Sequence, residues 1–88
     1  MKFCRTFDVA RYQQIVMIKK QSEEGAPEIR FFFQPDGFGV CHFGIGWSDD
    51  EEADKKADEA FKNMVPREVI EIVDGYMKHM QAKSQNAH

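Results

Sequence analysis

The chain has 88 residues, long enough for one domain built on a single modest core. With 42% hydrophobic and 31% charged residues the composition is globular, which excludes a disordered, collagen-like or low-complexity chain. Net charge is −3, and residues 48–88 carry ten Asp/Glu against six Lys/Arg, so a basic footprint for nucleic acid is excluded as a property of the whole domain.

No apolar run approaches the roughly 20 residues needed to cross a bilayer. The start, MKFCRTFDVARY, lacks the apolar centre of a signal peptide. A cytoplasmic protein without a membrane part is expected. Two cysteines, Cys4 and Cys41, are too few for a disulfide framework, and buried free thiols are the expectation.

In chain order, Phe3, Phe7 and Val9 fall at mostly even spacing with Arg5 and Arg11 among them. The alternation predicts a short strand at 2–7, with Asp8 as the alternative cap of a helical turn. Residues 12–20 are β-rich and apolar on both faces, Ile15 and Met17 on one and Val16 and Ile18 on the other. A strand of that kind is usually covered on both sides. The polar stretch 21–27 should turn the chain into a strand at 28–34, which becomes the middle of a meander.

Residues 29–47 read as a hairpin. Gln34, Pro35, Asp36 and Gly37 suggest a type I turn with proline second and a glycine bulge after it. In that register Gln34 faces Phe38, Phe32 faces Val40, Arg30 faces His42 and Phe31 faces Cys41. The odd-numbered residues form a core face, because side chains alternate along a strand. The even face carries Arg30, Phe32, Phe38, Val40, His42, Gly44 and Gly46. An apolar pair, Phe32 with Val40, stands there where a half-exposed sheet would show polar residues. The two glycines remove side chains, as where another backbone approaches closely.

Ser48 and Glu51 match a capping box, and residues 49–52 put negative charge where the helix dipole favours it. Ala53, Ala57, Ala60, Phe61 and Met64 make one narrow apolar stripe on a helix ending before Pro66. A second helix is expected from about 67 to 82, with Val69, Val73, Tyr76, Met77 and Met80 as its stripe. Gly75 suggests a close contact or a bend. Residues 1–83 then form one domain, and residues 84–88 a frayed tail. The fold class is α+β: a three- or four-stranded antiparallel meander followed by two helices packed on one face.

Catalytic and metal chemistry find little support. Cys41 and His42 are adjacent on a strand and point to opposite faces, and no zinc-ligand spacing exists. The glycines before Trp47 precede a helix, but residues 49–52 would repel an anion there. No cofactor, metal or enzymatic activity is expected. Single-stranded nucleic acid could stack on Phe32 and Phe38 beside Arg30, Lys19 and Lys20, but the acidic balance argues against it. The acidic helix 49–64 could imitate a phosphate backbone, yet Lys55, Lys56 and Lys62 interrupt it as i,i+4 partners of Glu51, Glu52 and Asp58.

Protein binding fits best. Two helices can cover one side of the sheet and not both. The even face must be closed by residues 1–11, by a second copy of the chain or by another protein. The residues expected to meet a partner are Val16, Ile18, Arg30, Phe32, Phe38, Val40 and His42. In size, acidity and lack of a catalytic set the chain is similar to the small accessory and inhibitor proteins of phages and mobile elements.

Overall fold

A computed structural model describes residues 3–21, 25–47 and 51–86, with side chains described as far as residue 82. Four antiparallel strands, β1 (Cys4–Val9), β2 (Gln13–Gln21), β3 (Pro27–Phe33) and β4 (Cys41–Gly46), lie side by side in chain order. Two helices follow, α1 (Ala53–Asn63) and α2 (Pro66–Asn86). The expected α+β meander with two C-terminal helices is the fold.

The division into odd and even faces holds throughout. Phe7, Ile15, Met17, Ile29, Phe31 and Phe33 are buried on the odd side, together with Ala53, Ala57 and Phe61 of α1 and Val69 and Val73 of α2. Each large side chain buried there contributes about 1.5–3 kcal/mol. The alanines of α1 let its backbone lie close over β2 and β3. The more distant α2 reaches the sheet through Tyr76, which stacks on Phe43 at 4.2 Å and meets Phe33 edge-on.

Three polar ties fasten the helices from the sheet side. Arg5 Nη1 donates to the carbonyls of Phe61 and Met64 at 2.6 and 2.8 Å, satisfying acceptors left free at the end of α1. Lys19 meets Asp58 of α1 at 2.6 Å. Arg11 and the Tyr12 hydroxyl both donate to Asp74 of α2. Residues 11 and 12 belong to a single 3-10 turn, Ala10–Tyr12, that links β1 to β2.

Several expectations are corrected. Register between β3 and β4 is shifted by two residues: Phe33 faces Cys41, Phe32 faces His42 and Arg30 faces Gly44. The connection spans residues 34–40, and its turn is bonded from Phe38 N to Pro35 O at 3.1 Å, so proline stands first in it and not second. Gly37, at φ +81°, takes the left-handed position that such a turn requires. A shift of two preserves the faces, whereas a shift of one would have exchanged them.

The N-terminal strand runs over Cys4–Val9, not 2–7. The expected cap Ser48, with Asp49 and Asp50, lies outside the described residues. The helix itself starts only at Ala53, with no side-chain cap from Glu52. Asp58 pairs with Lys19 on the sheet. Helix α2 begins at Pro66 and continues to Asn86, four residues past the expected end. At its start Glu68 accepts from Val65 N at 3.1 Å, the reciprocal half of a capping box. A Cβ on Gly75 would meet open space, so no close contact accounts for it. Cys4 is exposed and Cys41 half-buried, not both buried; both are free.

Candidate protein-binding surface

The outer, even side of the sheet is built in rows across the strands. Thr6, Val16, Phe32 and His42 form one row, and Cys4, Ile18, Arg30 and Gly44 form the next. Lys20, Glu28 and Gly46 make a third. Among the described residues no helix or loop lies over the middle of this surface. Residues 3–11 do not close it: β1 adds to the sheet as a fourth strand, sends Phe7 to the core and leaves Phe3 exposed.

Val16, Ile18 and Phe32 are half-buried by their neighbours within the sheet and form an apolar centre. Polar groups rim it. The Phe32 ring stacks on His42 with centroids 5.5 Å apart. Arg30 Nη2 donates to His42 Nδ1 at 2.7 Å, which makes Nδ1 the acceptor and leaves the ring proton on Nε2. Glu28 holds the other side of the same guanidinium at 3.7 Å. Gly44 has a definite use here. A Cβ at that position would stand 2.9 Å from Arg30 Nη1, so the glycine makes room for the guanidinium on the outer face.

Five of the seven expected residues therefore share the outer face: Val16, Ile18, Arg30, Phe32 and His42. Val40 and Phe38 lie instead on the connection 34–40 and diverge. At 68% exposed, Val40 joins Val16, Phe32 and Gln14 around a groove of about 240 Å³ at one end of that face. Phe38, 61% exposed, lies on the helix side and lines a second groove of about 300 Å³ with Cys41, Tyr76, Met77 and Met80. Thr6, Cys4 and Glu28 were not anticipated as members of the face. The alternation within residues 4–9 carried the signal for the first two, once that segment is placed in the sheet.

The surface offers contact more readily than chemistry. Cys4 and His42 sit on opposite edge strands, three strand spacings or about 14 Å apart, too far for a thiol–imidazole pair. Among the described residues no group of three or more His, Cys, Asp or Glu could hold a metal. Lys19 points to α1, so of the cations that could have met a nucleic acid here only Lys20 and the already bonded Arg30 face outward. On α1, Asp58 is drawn below the ordinary carboxylate range by the bond from Lys19, which further weakens an array of free acidic charges. No helix among the described residues is long and apolar enough to cross a membrane. No protein-family model, no curated protein and no solved structure matches this chain.

Proposed function

We propose that the protein is a non-catalytic binding module, a small cytoplasmic accessory or inhibitor protein that presents the outer face of its sheet to a larger protein. One observation carries this: Val16, Ile18 and Phe32 form an apolar patch across two central strands, and no described element covers it. An apolar centre ringed by Arg30, His42, Glu28 and Thr6 has the anatomy of an interface, an apolar core inside a polar rim. The Glu28–Arg30–His42 chain holds the rim in one arrangement before a partner arrives, which lowers the ordering cost of binding.

The test is Phe32→Asp. Affinity capture from the native host with the wild-type chain should yield a protein that the variant fails to retain, while circular dichroism of the two chains coincides. If Phe32→Asp unfolds the domain, or retains the same protein, the outer face is not the binding surface.

A further inference from the structure

Among the described residues no strand pairs with the outer edge of β4, a different surface from the face just described, and its hydrogen-bonding pattern can be worked out. Trp47 N donates to Pro27 O at 3.2 Å, which makes Pro27 and Trp47 a hydrogen-bonded pair. Such pairs alternate along an antiparallel ladder. The register then assigns Cys41, Phe43 and Ile45 to bonding with β3 and turns the N–H and C=O groups of His42, Gly44 and Gly46 outward. Two of the three are glycines. Strand β4 contains no charged residue and no proline, the usual protections of an exposed edge, whereas the opposite edge, β1, carries Arg5 and Asp8.

The odd side of β4 is also incomplete. Phe31 and Ile29 of β3 are fully buried, but their partners Phe43 and Ile45 are only half-buried, as are Cys41 and Trp47. The apolar groove beside Cys41, about 300 Å³, opens at this same edge.

We infer that two copies of the chain join β4 to β4 about a two-fold axis at Gly44, giving one continuous eight-stranded sheet. Outward-facing residues must pair with outward-facing residues, so the register centred on the strand sets Gly44 against Gly44 of the other copy and His42 against Gly46. On the odd side it sets Phe43 against Ile45 and Cys41 against Trp47. Each indole is thereby placed at the groove lined by Cys41, Phe38, Tyr76 and Met80, a knob and a hole on the same chain related by the axis. That self-complementarity is why the occupant is a second copy and not an unrelated strand: an isologous contact needs each patch to match itself. No charged side chain of β4 meets its own image. The two outer faces then lie on the same side of the extended sheet, leaving both patches accessible.

Light scattering on the full chain should report twice the 10.2 kDa chain mass. Gly46→Pro removes an outward N–H without touching a β3–β4 bond, and nothing lies within 4 Å of its Cβ, so it should halve the mass with an unchanged circular dichroism spectrum. In a Cys4→Ser, Cys41→Ser background, Gly44→Cys should cross-link to itself on mild oxidation, since hydrogen-bonded partners have Cα atoms about 5.5 Å apart, within disulfide range. The Arg30 guanidinium near that position is the end of a flexible side chain and can yield. Thr6→Cys, on the same face of the other edge strand, should not cross-link. A single-chain mass for the wild type at its highest soluble concentration overturns the inference. So does a dimer that survives in folded Gly46→Pro, or cross-linking of Thr6→Cys in place of Gly44→Cys. Should Gly46→Pro unfold, the cross-links decide alone.

Discussion

Single side chains decide how the ends of the chain are joined. Asp74 is drawn below the ordinary carboxylate range by the Tyr12 hydroxyl that donates to it and then by Arg11, while partial burial pulls the other way. Tyr12 is raised first by burial and then by the same bond to Asp74. The two shifts bound the stable pH range from opposite sides. The lowered carboxyl contributes stability present above its unfolded value, near 4, and lost as pH falls through its lower folded value. The raised phenol contributes stability present below about pH 10 and lost as pH rises through its folded value. Urea midpoints measured against pH should therefore fall at both extremes, with the acid limb shallower in Asp74→Asn. Tyr12→Phe, which removes a donor to a charged acceptor, should cost about 1.5–3 kcal/mol at neutral pH. Gly75 works the other way. Its position is exposed, helical and open around the missing Cβ, so Gly75→Ala should add about 1 kcal/mol, read as a thermal midpoint several degrees higher.

Whole elements depend on contacts that no local pattern announces. Helix α1 is closed at its C-terminal end by Arg5, which comes from β1 and also lies over the Phe7 ring at 5.0 Å. Arg5→Met should cost about 1.5–3 kcal/mol, and hydrogen exchange should quicken at the last turn of α1 before it quickens in β3. This contrast explains what was legible in the sequence. Side-chain alternation in residues 13–21 and 27–33 gave both faces, and the alanine spacing gave the buried stripe of α1. The β3–β4 register was not legible, because Phe38 and Val40 look like strand residues yet sit on the connection, and nothing local marks where pairing resumes at Cys41. Of the seven residues proposed to meet a partner, the five inside strands could be placed by parity, and the two on the connection could not. Arg5, Lys19 and Asp74 have partners 39 to 63 residues away in the chain, beyond the reach of any periodicity.

At the scale of the molecule, one sheet has a closed side and an open side, and adjacent phenylalanines on β3 test it. Phe31→Ala should cost about 3–5 kcal/mol, a large share of a small domain's stability, while Phe32→Ala should cost well under half of that. Chemical denaturation of the two variants would settle the assignment, and equal losses would reverse it. The strand order has a further consequence. Because every strand pairs with its neighbour in the chain, no long segment must be threaded before the sheet can grow, and each hairpin closes over a short loop. During synthesis the four strands can zip together while the helices are still to come. Through that interval the odd face stays bare, so stalling or proteolysis ahead of residue 53 would release a sheet with its greasiest side unclothed, and the cell would meet it as an aggregating fragment.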